Sequence, residues 1–139
     1  MEKDKKRGYI TKKRIVLTGI LLAAVAIIAG LSYLARINNY KNAVNNLSFE
    51  EVDVSKLADG TYTGECNVDV IYAKVEVIIA DGRITDIALL EHRNERGAPA
   101  ESIIGNMLAE QRVDVDAISG ATNSSKVIKK AVENALRGN

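Results

Sequence analysis

Residues 73–90 read AKVEVIIADGRITDIALL, and this stretch decides the fold. Ala73, Val75, Val77 and Ile79 recur at period two, the spacing that puts alternate side chains of a β-strand on one face. Asp81-Gly82 follows, a dipeptide that accepts the left-handed backbone of a two-residue hairpin turn. Ile84 to Leu90 then supplies the returning strand, so the pairing is antiparallel. Upstream, Asp59-Gly60 marks a turn and Thr61-Tyr62-Thr63 has strand propensity. Downstream, a polar loop from Glu91 to Gly97 leads to Pro99 near a helix start, and Ile103, Ile104, Met107 and Leu108 give that helix one apolar face. A second helix is expected from about Ser125 to Arg137. Its buried stripe is Val127, Ile128, Ala131, Val132, Ala135 and Leu136, with Gly138 as C-cap. Strands first and helices after, without βαβ alternation, give the α+β class: a small antiparallel β-sheet packed with two or more α-helices.

Further toward the N-terminus the chemistry changes. Ile15 to Leu34 reads IVLTGILLAAVAIIAGLSYL, apolar all round and without a charge. About 20 helical residues at about 1.5 Å each span the hydrocarbon core of a bilayer, so a single transmembrane helix over 15–35 is expected. Residues 1–14 carry Lys3, Lys5, Lys6, Arg7, Lys12, Lys13 and Arg14 against Glu2 and Asp4, although the whole chain has a net charge of only +1. By the positive-inside rule the tail is cytoplasmic and the part beyond the helix is extracytoplasmic, with membrane lipid as a partner. A cleaved signal peptide is the rival reading. The apolar run is longer than such peptides carry, and no A-x-A-like site follows it. Residues 36–57, rich in Asn and mixed charge with weak periodicity, read as a spacer, helical in part, before a folded unit at 58–139.

Composition excludes other classes. Aromatic residues make up 4% of the chain with no Trp, which leaves no stacking platform for single strands, and its charge is not uniformly basic, so no nucleic-acid partner is expected. One cysteine, Cys66, and one histidine, His92, supply neither a disulfide framework nor a metal cage, so no metal site is expected. Cys66 reads as a buried small hydrophobe.

The segment with chemical content lies between the two predicted helices. Asp116, Ser119, Gly120, Ala121, Thr122, Asn123, Ser124 and Ser125 crowd small and hydroxylated residues directly before a helix N-terminus. First-turn N–H groups lack intrahelical partners and the helix dipole is positive there, so a phosphate would fit. The same cluster also reads as an ordinary N-cap. It is not a P-loop, because the G-x-x-x-x-G-K-[ST] spacing is absent.

Residues 59–136 resemble the small FMN-binding domain family through DGTYTG (59–64), VEVIIADGRITDIALLEH (75–92) and DAISGATNSSKVIKKAVENAL (116–136). Domains of this type occur in the G subunit of Rnf-type and the C subunit of sodium-pumping NADH:quinone oxidoreductases, and in single-pass surface electron carriers. The resemblance implies FMN as cofactor, joined through its phosphate to Thr122 by a flavin transferase that uses FAD and a metal ion. It implies a site at Asp116, Ser119, Gly120, Ala121 and Thr122. Asn123, Ser124 and Ser125 extend it, and His92 is a candidate to hydrogen-bond the flavin. Arg93 and Arg96 are candidates for a phosphate or a reduced flavin, with solvated loop arginines as the alternative. Tyr62 and Tyr72 are candidates to flank the ring, with core packing as the alternative. Where relatives read near E-T-P-G, this chain has Glu95-Arg96-Gly97-Ala98-Pro99 and departs from the pattern. The implied function is electron carriage between a quinone- or NADH-linked membrane donor and an extracytoplasmic acceptor, by a carrier rather than a stand-alone enzyme. The alternatives are an accessory FMN-bearing subunit of a membrane oxidoreductase complex and a flavin-free surface binding domain.

Overall fold

The computed structural model describes residues 2–94 and 96–138. Side chains of the basic tail up to residue 11, and Glu95 of the polar loop, lie outside the described residues, as do Met1 and Asn139. The elements run α1 (Glu2–Asn45), a 3-10 helix (Val54–Lys56), β1 (Gly60–Val68), β2 (Ile71–Ala80), β3 (Arg83–Arg93), a 3-10 helix (Ala98–Ser102), α2 (Ile103–Glu110) and α3 (Thr122–Arg137). The architecture is α+β. Two compact units divide the chain, one at 1–38 and one at 39–139.

In the first unit, the apolar side chains of α1 from Ile15 to Leu34 are largely exposed. The helix carries a stretch with a mean hydropathy of 2.6, none of it buried inside the protein, so it is long and apolar enough to cross a membrane.

The second unit is a two-layer domain. The sheet is antiparallel in the order β1-β2-β3. Asp81 and Gly82 form the two-residue turn between β2 and β3 with φ of 53° and 67°, as the Asp-Gly dipeptide requires. Asp59 reaches across and accepts the Asp81 N–H at 2.9 Å, tying the turn to the start of β1. Ala73, Val75, Val77 and Ile79 are all buried, and burial of each Val or Ile contributes about 1.5–3 kcal/mol. Helix α3 lies over β1 and β2 with the stripe Val127, Ile128, Ala131, Val132, Ala135 and Leu136 inward. Helix α2 packs on β3 through Ile103 and Met107, with Ile104 and Leu108 at the core's margin.

Three boundaries differ from the sequence reading. Strand β3 continues through Glu91, His92 and Arg93, because these polar residues pair with Lys74, Ala73 and Tyr72 of β2. Helix α3 begins at Thr122 rather than near Ser125, with Ala121 as its cap residue. Within the 36–57 stretch, residues 36–45 are helical as a partly helical spacer would be, but Val44 and Val54 are buried in the core. Tyr40, Leu47, Val52 and Leu57 pack against that same core.

Candidate functional site

One end of the sheet gathers three segments: the β1–β2 turn, the chain leaving β3, and the start of α3. Together with Tyr40 they line a cavity of about 370 Å³, formed by Val70, Ile71, Arg96, Gly97 and the run Gly120 to Ser124. The approach to α3 is held at three points. The Lys129 ammonium, almost fully buried, donates to the Val115 carbonyl at 2.8 Å and to the Asp114 carboxylate at 2.6 Å. The Ile118 N–H donates to Ser125 Oγ at 3.0 Å. The Ala121 N–H closes a turn onto the Ile118 carbonyl at 3.0 Å, with Gly120 at φ 78° in the position where only glycine is unstrained. Between them these bonds leave the S-G-A-T element little freedom.

Helix α3 starts without a side-chain cap. Its first-turn N–H groups at Thr122, Asn123 and Ser124 have no preceding helical carbonyl to bond, and all three residues line the cavity. The N-cap alternative is thereby not the use to which the cluster is put. Thr122 is exposed at the cavity, Asn123 is half-buried and Ser124 is buried. Ser119 and Asp116 are exposed and lie outside the cavity lining. Ser125 is fully buried and its hydroxyl oxygen is engaged by Ile118. His92 also lies outside the lining, with its ring buried beside Glu101.

Of the two loop arginines, Arg96 lines the cavity, whereas Arg93 stacks over the Tyr72 ring at 5.3 Å. Tyr72 donates its hydroxyl to Glu65 at 2.7 Å, and that bond pushes its pKa up to about 12. Tyr62 donates to the Ala58 carbonyl at 2.7 Å. Neither tyrosine lines the cavity. Burial raises the pKa of the Cys66 thiol, partly opposed by Lys130, which fits an inert core residue. Gly97 is a site residue that motif reading passed over. A Cβ built there would stand 1.8 Å from Ser124 Oγ, so only glycine lets this chain lie against the first turn of α3.

A larger cavity of about 750 Å³ sits at the other end of the sheet, beside the Gly82 hairpin, between residues 49–55 and 111–114. Much of its polar lining is already engaged. Asp53 pairs with Lys56, Arg112 with Glu110 and Asp114 with Lys129, and the Gln111 amide bonds both the N–H and the carbonyl of Ile84. The smaller cavity adjoins the uncapped start of α3.

A two-layer α+β domain that turns an uncapped helix start toward a cavity of ligand size has a place for a small molecule bearing an anionic group. Residues 68–137, half of the chain, match the FMN-binding domain family, and the chain belongs to that family. No curated protein matches the chain significantly. FMN is the cofactor. The residues present fit it: bare helix-start N–H groups and Arg96 suit a phosphate, and Val70, Ile71 and Tyr40 give the cavity an apolar side.

Proposed function

We propose that this chain is a membrane-anchored, extracytoplasmic flavoprotein that relays electrons, with FMN esterified through its phosphate to Thr122. The placement of Thr122 carries the reading: it is the first residue of α3, exposed, at the cavity and beside helix-start N–H groups without a cap. Those N–H groups and the helix dipole hold a phosphate's negative charge, an effect worth about 0.3–1 kcal/mol in exposed settings and more when partly buried. Arg96 adds a cation at the same cavity. Lys129 and Ser125 keep the loop fixed, so little ordering is needed when the ligand enters. When bound, FMN supplies one- and two-electron redox chemistry.

A covalent bond answers a problem of location. Outside the membrane, a freely dissociating cofactor is lost to dilution, and a phosphoester at Thr122 prevents that loss whatever the affinity. Thr122 Oγ1 exchanges its proton for the flavin phosphate, with FAD as the source and its AMP half as the leaving group. A threonine hydroxyl is a poor nucleophile, so its activation falls to a transferase partner. The exposed apolar face of α1 from Ile15 to Leu34 supports the anchor, and the basic residues before it support a cytoplasmic N-terminus. The partners in this reading are a membrane-embedded donor and an outer acceptor.

Replacing Thr122 with Val keeps shape and removes the hydroxyl. Protein isolated from cells containing the transferase should show flavin fluorescence on a denaturing gel for the wild type and none for Thr122→Val. Fluorescence that survives the substitution overturns the attachment.

A further inference from the structure

Strand β3 is interrupted twice, and the second interruption re-aims a histidine. Its pairs with β2 run Val77↔Ile87 and Val75↔Leu89, then jump to Lys74↔Glu91 and Ala73↔His92, so Leu90 is an extra residue. Without that bulge Glu91 would occupy the core-facing position opposite Ala73. With it, His92 shares the inward side of Ala73, and its side chain is only 3% exposed.

On that inward side, His92 Nδ1 stands 2.9 Å from Glu101 Oε1. A carboxylate can only accept, so Nδ1 carries a proton and donates it. Nε2 is buried and without a hydrogen-bond partner. Such a group is unfavourable in an interior, and an apolar residue would pack there without that penalty. The Asn94 side chain lies next to the ring, its Nδ2 3.3 Å from Nδ1, while its Oδ1 accepts the Gly97 N–H at 2.8 Å. Gly97 in turn presses against Ser124 at the cavity.

We propose that His92 is a positioning residue for the flavin site. Bonded to Glu101, its ring is fixed as the surface beside which Asn94 lies, and Asn94 Oδ1 accepts the Gly97 N–H, so that Gly97 is held against the first turn of α3. It sets one wall of the cavity while touching none of its contents. This rests on the FMN reading for its purpose, and on the geometry alone for its mechanism.

The test uses the full chain in detergent and follows amide hydrogen exchange at Gly97. In His92→Asn the side-chain nitrogen falls near the place of Nδ1 and can still donate to Glu101. In His92→Gln it falls nearer the place of Nε2 and cannot. Gly97 exchange should quicken about tenfold in His92→Gln and in Glu101→Ala, stay near wild type in His92→Asn, and quicken no further in the double variant His92→Gln/Glu101→Ala. Amides in the middle of α3 should be unchanged in all four, which separates a local release from lost stability. In flavin-loaded protein the two releasing variants should also make the fluorescence easier to quench with iodide. Unchanged Gly97 exchange in Glu101→Ala, or an Asn variant as damaging as the Gln one, overturns the proposal. A wild type without flavin would instead remove the FMN reading, with the amide pattern still deciding the role of His92.

Discussion

Ser119 and Ser125 flank the same turn and are put to different uses. Ser119 is exposed, and Ser125 is fully buried with its oxygen accepting the Ile118 N–H. Ser125→Ala leaves that N–H unpaired in a partly buried place, a loss of about 1–3 kcal/mol. Ser119→Ala removes an exposed hydroxyl and should stay within about 0.5 kcal/mol of the wild type. Thermal melts of the two variants check this. For a domain of this size the Ser125 variant should melt at least about 4 °C lower and the Ser119 variant hardly at all. The Ser125 variant should also accept less flavin, because the loop that presents Thr122 is then tied at one point fewer. Equal melting temperatures would mean that the Ile118–Ser125 bond does not hold the turn.

At the scale of elements, α3 and β1 approach so closely that one glycine decides their spacing. A Cβ on Gly64 would stand 2.2 Å from the Ala135 nitrogen and 2.4 Å from the Ala131 carbonyl oxygen. Both are backbone atoms, so no side-chain rotation relieves the clash, and α3 must lift from the sheet. Gly64→Ala should cost about 3 kcal/mol or more and lower the melting temperature by more than about 10 °C. Gly105 is the control, because nothing lies within 4 Å of its added Cβ on α2. There the same substitution should stabilise by about 0.4–1 kcal/mol. Other elements show what a sequence can and cannot announce. The Asp81-Gly82 turn and the α3 stripe were legible because both are local patterns. The start of α3 was not, since Ala121 has no capping side chain and gives the usual rule nothing to recognise. The length and phase of β3 were hidden by its bulges: Ile84 and Ile87 both face the core at a spacing that simple alternation forbids. Of the candidate site, the run Gly120 to Ser124 was readable from its small residues before a helix. Val70, Ile71, Gly97 and Tyr40 join it only through the tertiary fold.

At the scale of the molecule, the folded unit begins well before the stretch that matches the family. Val44 has no exposed surface and Val54 is buried, and Tyr40, Leu47, Val52 and Leu57 lie against the same core. Polar bonds strap this segment to α3. Lys130 donates to the Ser48 carbonyl at 2.8 Å, Arg137 pairs with Glu50, and Lys129 lies over the Phe49 ring at 4.9 Å. A chain beginning at Asn39 retains all of these groups, and one beginning at Asp59 loses them. Two buried valines alone represent about 3–6 kcal/mol of transfer free energy, a large share of the 5–15 kcal/mol that holds an ordinary domain together. The chain from Asn39 should therefore remain in solution and unfold in urea as one cooperative transition. The chain from Asp59 should show no such transition, or one with its midpoint at less than about half the urea concentration. Circular dichroism during titration distinguishes the outcomes. Matching midpoints would show that residues 39–58 add little to the stability of the domain. Distinct midpoints would mean that residues 39–45, at the end of α1, close the core behind the cavity to which Tyr40 contributes.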